Sequence, residues 1–184
     1  MNGRLRYPSA EPMILRDCDR DQAPAILAIL NDAILNSTAL YEYRPRTLEQ
    51  MGAWFEAKAE RDFPVIGAFD DSGELLGFSS YGTFRNWPAY KYSVEHSVYV
   101  EQGQRRRGVG RALLQATIAR AQAQNYHVLV GGIDAQNVVS IRLHESLGFR
   151  HRGTIEQAGF KFGRWLDLAF YQLTLDTPRD PIDG

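Results

Sequence analysis

The sequence predicts one mixed α/β domain with a parallel strand pair at its centre. Three observations carry this. The chain has 184 residues, the length of a single domain. Its apolar spacing switches between the 3.6-residue period of helices and the two-residue alternation of strands. The resulting order is strand, two helices, three strands, helix, strand, helix, two strands. The strand–helix–strand run over residues 94–133 makes its two strands parallel, because a helical crossover returns the chain to the same end of the sheet.

Taken in order, residues 1–12 are polar, carry two prolines and read as an extension, and Met13 is a second candidate start. Met13-Ile14-Leu15-Arg16 opens the fold as a strand. Asp21 is placed to cap a helix whose first turn tolerates Pro24. Ile26, Ile29, Leu30, Ala33 and Ile34 then recur on one helical face. A second helix spans residues 47–61, capped by Thr47, with Trp54 and Phe55 inward. Residues 65–69 are a strand ended by the turn Asp70-Asp71-Ser72-Gly73, and 75–84 resume a strand. An aromatic loop, 84–90, precedes a long alternating strand, 92–100. Residues 110–124 form a helix with Leu113, Leu114, Thr117, Ile118 and Ala121 on one stripe, and 127–130 a buried strand. The helix over 137–147 stops at Gly148, a residue suited to the left-handed position after a helix end. Strands follow at 149–156 and 166–175. The domain therefore covers 13–175, and 176–184 read as a loose tail. There is no internal repeat and no low-complexity tract.

Composition narrows the function classes. Apolar residues at 44% and charged residues at 23% suit a packed globule and exclude a disordered or fibrous chain. Lys+Arg of 21 against Asp+Glu of 22 leaves a net charge of −1, which argues against a nucleic-acid partner. Cys18 is the only cysteine, so no internal disulfide forms, as suits a reducing cytoplasm. His96, His127, His144 and His151 lack metal-ligand spacing, so no metal is expected. No apolar run is long enough to span a membrane, and the first residues have no apolar signal region.

The chemistry-bearing segment is Val94-Glu-His-Ser-Val-Tyr-Val100 followed by Gln104-Arg-Arg-Arg-Gly-Val-Gly-Arg111. A strand runs into a loop with two glycines and opens a helix, whose first amides lack intrahelical partners and carry the positive end of the dipole. Gly108 and Gly110 let backbone approach an anion closely, so the segment suits phosphate. It is not a Walker loop, since no Gly-Lys-Ser/Thr follows, and not the dinucleotide fingerprint, since Leu113 stands where that pattern needs glycine.

Here the sequence resembles the GCN5-related N-acetyltransferase superfamily. Its pyrophosphate signature, Gln/Arg-x-x-Gly-x-Gly/Ala, is matched by Arg105-Arg-Arg-Gly108-Val-Gly110. A second element is matched by Asn137-Val-Val-Ser140-Ile-Arg-Leu143-His144-Glu-Ser-Leu-Gly148-Phe149, with His144 where most members have tyrosine. Phe84-Arg85-Asn86, the 94–100 strand and Lys161-Phe-Gly-Arg-Trp165-Leu-Asp167 resemble the phosphinothricin and methionine sulfoximine/sulfone acetyltransferases, in which histidine is usual at that position.

The resemblance implies a mostly antiparallel mixed sheet, flanked by helices, whose parallel central strands, 92–100 and 127–133, start paired and splay apart. It implies an acetyl-CoA co-substrate whose pantetheine arm pairs with the backbone of Val98 and Val100, Tyr99 lying on the same strip. The Val98 amide donates to the thioester carbonyl. The pyrophosphate sits on the amides of Arg106, Arg107, Gly108, Val109, Gly110 and Arg111. Asn137 and Ser146 contact CoA. Glu95 is the general base, acting directly or through a water, and His144 the acid for the departing thiolate. Arg85 clamps the carboxylate of a small amino-acid-like substrate, and Trp87, Pro88, Ala89 and Tyr90 wall its side chain. Residues 38–43 line the same pocket. A homodimer is implied. His96 alternates to the other strand face and reads as structural. The expected reaction is direct acetyl transfer to the α-amine of phosphinothricin, methionine sulfoximine or methionine sulfone. Its rivals are acetylation of a protein N-terminus or other amine, a non-catalytic acyl-CoA-binding module, and an RNA binder using residues 105–107. Glu95 argues against the module and the net charge against RNA.

Overall fold

The computed structural model describes residues 13–183; the expected extension, 1–12, lies outside them. The elements are β1 (Ile14–Asp17), α1 (Ala23–Asn36), α2 (Leu48–Glu60), β2 (Val65–Phe69), β3 (Leu75–Thr83), β4 (Ser93–Val100), α3 (Val109–Ala123), β5 (Val128–Asp134), α4 (Val138–Ser146), β6 (Arg150–Lys161) and β7 (Arg164–Thr174). One sheet runs β1-β2-β3-β4-β5-β7-β6. Its pairs are antiparallel except β4–β5, which is parallel, as the α3 crossover requires.

The helix starts follow local chemistry. Thr47 and Gln50 form a reciprocal capping box at α2. At the first helix the cap is Asp19, not Asp21: Asp19 accepts from the Asp21 amide and initiates a 3₁₀ turn, Arg20–Gln22, that leads into α1. The even spacing of apolar residues points to α1, but a polar run with two aspartates leaves the cap open by two residues.

Two cores lie on opposite faces of the sheet. α1 and α2 bury Ile26, Ile29, Leu30, Met51 and Phe55 against Val65, Phe69 and Phe78. On the other face Leu114 and Ala121 of α3 pack with Val94, Leu129, Ile133 and Phe149. Each large aliphatic side chain so buried contributes about 1.5–3 kcal/mol.

The β6–β7 hairpin is longer than the sequence suggests. The strands meet at a two-residue turn, Phe162-Gly163, with φ of 51° and 73°, and Lys161 pairs with Arg164. A register break between Ile155 and Gly159, with Gln157 at φ 53°, hides the alternation there. Lys161 is buried and donates from Nζ to the carbonyls of Ile34, Ser37 and Leu40 at 2.6, 2.9 and 2.6 Å. It thus closes the C-terminal end of α1, where unpaired carbonyls favour a cation. The tail is anchored rather than loose: the Thr177 hydroxyl donates to the Tyr126 carbonyl, and the Ile182 amide to the Tyr92 hydroxyl at 3.1 Å.

Candidate active site

The site begins where β4 and β5 part. Their ladder pairs Ser93 with Val128, Val94 with Leu129 and Glu95 with Val130, and then stops. β5 continues its pairing with β7 to Asp134, and β4 its pairing with β3 to Val100, so a gap opens between them. Direction of the free backbone follows from alternation. The Glu101 amide donates to the Leu76 carbonyl at 3.0 Å, so Tyr99, two residues back, also addresses β3. Val98 and Val100 therefore turn their N–H and C=O groups into the gap. Tyr99 corrects the expectation that it shares this strip: its backbone faces β3, its ring lies 5.3 Å from Phe78, and burial pushes its phenol up to about 12.

The loop after β4 carries the anion-binding features. Gly108 has φ 87°, a backbone state that side chains resist, and directly precedes α3; Arg106 is also left-handed, at φ 64°. The first-turn amides of Val109, Gly110 and Arg111 have no partner within the helix. At Gly110 a Cβ would meet Leu143 and Val100 at 3.4 and 3.5 Å, ordinary contacts, so packing alone does not demand a glycine. Arg111 donates to the Ser146 hydroxyl at 2.9 Å, tying α3 to α4 beside this loop, and Asn137 caps α4 by accepting from the Ser140 amide at 3.1 Å. Arg107 contacts Gln104.

At the crotch two adjacent glycines of β5 receive two different sets of groups. A Cβ on Gly132 would stand 3.1 Å from Oε1 of Glu95, on the α1/α2 face. A Cβ on Gly131 would stand 3.1 Å from Cε1 of His96 and 3.4 Å from Nε2 of His144, on the α3/α4 face. The structure therefore does not bring Glu95 and His144 together; it brings His144 to His96. The sequence missed this pair and both glycines. Two consecutive glycines inside a strand are the signal, since they weaken a strand unless something must approach closely.

Glu95 is half-buried. Burial raises its pKa above the usual carboxylate value, opposed by the Arg85 guanidinium. The imidazoles behave otherwise. His144 Nδ1 lies 2.7 Å from the Ser140 carbonyl, which can only accept, so Nδ1 carries the proton. His144 Nε2 is then the acceptor, and His96 Nε2, 2.9 Å away, donates to it. Burial pushes His96 down to about 3, the neighbouring imidazole adding to the effect, and lowers His144 as well. Both ring nitrogens of His144 are thus engaged, which leaves none to serve as the expected acid.

Arg85 is exposed, its guanidinium 4.6 Å from the Phe84 ring centre. With Trp87, Pro88, Tyr90, Arg61 and Lys91 it lines an open cavity of about 420 Å³, to which Glu95 does not contribute. Ala89 sits in the same 3₁₀ turn, Pro88–Tyr90. The 37–47 loop docks elsewhere, on the β6–β7 hairpin and β5. Thr38 hydrogen-bonds the buried Asp134, and the Tyr43 hydroxyl donates to the Phe160 carbonyl at 2.6 Å. Among the described residues no group of three or more His, Cys, Asp or Glu is placed to hold a metal, and no helix is long and apolar enough to cross a membrane.

Comparison with known proteins gives consistent matches. The acetyltransferase (GNAT) family pattern matches residues 26–149. The chain is 48% identical over 165 residues to the L-methionine sulfoximine/L-methionine sulfone acetyltransferase of Pseudomonas paraeruginosa, covering 90% of this chain and 96% of that one. A phosphinothricin acetyltransferase from Sinorhizobium meliloti, solved in complex with AcCoA, superposes with a TM-score of 0.89 at 33% identity, covering 94% of each chain. A ribosomal-protein-alanine N-acetyltransferase from Brucella melitensis superposes with a TM-score of 0.86 at 42% identity, covering 88% of this chain and 99% of that one.

Proposed function

Because the chain belongs to the acetyltransferase (GNAT) family, we propose that it moves the acetyl group of acetyl-CoA directly to the α-amine of a small amino-acid analogue: methionine sulfone, methionine sulfoximine or phosphinothricin. The observation that carries this is the splayed β4–β5 pair, with Glu95 on one wall and the α3 loop at the open end of β4. The acetyl-CoA fit is physical. The pyrophosphate meets the first amides of α3 and the basic residues 106, 107 and 111, and the pantetheine finds backbone at Val98 and Val100 that β5 does not pair, the Val100 carbonyl meeting only Arg105 Nε at 3.5 Å.

In this reading Glu95 takes the proton that the amine sheds as its nitrogen bonds to the carbonyl carbon. Its raised pKa brings the base nearer to working pH. The Val98 amide stabilises negative charge on the carbonyl oxygen. The carbon–sulfur bond breaks, and the thiolate, the conjugate base of a thiol with a pKa of about 8.5 or higher, collects a proton from solvent. We assign His144 to the wall of the gap rather than to that proton. Arg85 clamps the substrate carboxylate, with residues 88–90 beside it. The enzyme works as a cytoplasmic homodimer; support comes from the lone cysteine and from Trp87, 74% exposed on the substrate loop.

The likeness to the Brucella protein favours a second reading, an alanine-ended protein as acceptor. One experiment separates them. Thiol release is followed with methionine sulfone, methionine sulfoximine, phosphinothricin and an alanine-ended peptide. The small-substrate reading expects kcat/KM at least tenfold higher for one of the analogues; a preference for the peptide overturns it.

A further inference from the structure

The gap between β4 and β5 has a closed end, and its construction is unusual. The last parallel pair is Glu95 with Val130. The next residue on one strand is His96 and on the other Gly131. The His96 ring crosses to Gly131, whose missing Cβ would lie 3.1 Å from the ring. His144, reaching in from α4, meets the same glycine and the His96 ring, at 5.1 Å between ring centres. The Phe149 ring packs on both, 5.1 Å from each.

We propose that the His96–His144 pair is a wedge that sets the depth of this gap and thereby makes the enzyme select a two-carbon acyl donor. This rests on the reading that a CoA thioester occupies the gap with its carbonyl at Val98. The thioester arrives from the Val100 end, since the phosphate-binding loop follows β4. Its acyl tail therefore points toward His96. Val98 and His96 are two residues apart, about 6.6 Å of strand. An acetyl methyl lies about 1.5 Å beyond the carbonyl carbon. It needs a further carbon contact of about 3.5–4.0 Å. About 1.1–1.6 Å is left, the length of one carbon–carbon bond, so a third carbon would press on the rings with no slack.

The wedge is fixed in place, which is what selectivity requires. His96 donates to His144 and His144 to the Ser140 carbonyl, so each ring is held by a hydrogen bond, although His96 Nδ1 is itself buried without a partner. A ring released from that chain would strand a buried polar nitrogen, which costs more than the bond itself is worth. Neither ring has a cheap way to swing aside for a longer acyl group.

The test compares acetyl-CoA with propionyl-CoA, both as bound ligands by calorimetry without an amine and as donors to one accepted amine. The wild-type enzyme is expected to bind acetyl-CoA at least tenfold more tightly. His96→Ala shortens the wedge, and His96→Asn does so while keeping an amide donor in the core. In either folded variant the propionyl-to-acetyl ratio should rise at least tenfold in binding and in kcat/KM. A wild-type enzyme that binds the two thioesters equally overturns the proposal. So does a variant in which both donors weaken together and the ratio stays put, as a merely structural role predicts. If no amine is accepted, the substrate reading fails, while the binding ratio still decides the wedge.

Discussion

Gly131 and Gly132 are neighbours on one strand, yet they seat opposite kinds of chemistry. Over Gly132 lies a carboxylate that is half-buried, raised in pKa and answered by Arg85. Over Gly131 lie two imidazoles that are buried, lowered in pKa and hydrogen-bonded in a chain. A catalytic group must have a proton to exchange and a path to the reacting atom. On the reading proposed above Glu95 has both; the imidazoles spend their protons on each other and on the Ser140 carbonyl. Residue type points equally well to Glu95 and to His144 as acid–base groups. The surroundings separate them.

The sharpest way to break this contrast is to remove each group's proton chemistry in turn. Glu95→Gln keeps the size and the strand but leaves no acceptor. A positioned base contributes about 10²–10⁴-fold, so kcat should fall by that much under chemistry-limited conditions. The acetyl-CoA Kd should hold, because the proposed thioester contacts come from backbone at Val98 and Val100. The deficit should shrink as pH rises toward the amine's own pKa. A near-full chemical rate at neutral pH would move the base elsewhere and erase the difference between the two faces.

Arg85 sharpens the same contrast with a smaller effect. Charge-assisted hydrogen bonds are worth about 1.5–3 kcal/mol, so Arg85→Ala should raise the amino-acid KM by roughly 10–150-fold. The acetyl-CoA KM should stay within about threefold, within the scatter of such magnitudes. Its loss has a second signature. Because Arg85 pulls the Glu95 pKa down against burial, its removal should shift the acidic limb of the kcat profile to higher pH. Equal movement of both KM values removes the clamp.

Much of this was legible beforehand, for identifiable reasons. The backbone form of the α3 loop is readable because Gly108 at φ 87° ahead of a helix leaves a mark that neighbouring residues spell out. The parallel pair was readable because a helical crossover permits no other sense. The His96–His144 contact was not, since it joins residues 48 apart and lies on the face that strand alternation assigns to mere packing. Nor was the hairpin turn at Phe162-Gly163, because the break near Gln157 interrupts the period that announces a strand. Arg85 reads as a pocket residue from its loop, but only coordinates show that its cavity and the Glu95 gap have different walls.

The glycines themselves allow a more local comparison. An alanine at either position adds one methyl at 3.1 Å from its neighbour, closer than ordinary contact. Overpacking of that kind costs about 1–3 kcal/mol. In Gly132→Ala the neighbours are the Glu95 carboxylate, which can swing, and the end of the half-buried Leu168 side chain at 3.3 Å, so the cost should appear chiefly in kcat with a smaller change in Tm than at Gly131. In Gly131→Ala the neighbours are two locked rings, so the cost should appear in Tm. The opposite pattern would mean that the Glu95 side is the rigid one.

The remaining expected effect is a pH dependence of stability, and its sign is diagnostic. Both imidazoles have folded pKa values below the ordinary one, His96 at about 3. Above roughly pH 6.5 they are neutral in both states and contribute nothing pH-dependent. As pH falls below that, the unfolded chain binds protons that the folded pair refuses, so stability is lost. Each imidazole held neutral contributes a slope of about 1.4 kcal/mol per pH unit, continuing for His96 until pH reaches its folded value. Glu95 acts in the other direction. Its raised pKa favours the folded state at low pH and takes stability away as pH rises through the folded value. The two faces therefore predict opposite slopes, which overlap above the ordinary carboxylate value, where Glu95 partly offsets the imidazoles. Denaturant unfolding from pH 8 to pH 4 should show a steep decline below 6.5 in the wild type, and His96→Asn should flatten it by about one proton's worth. An unchanged slope would place the proton uptake outside the pair and leave His96 titrating freely in the folded protein, against the hydrogen-bond chain drawn for it.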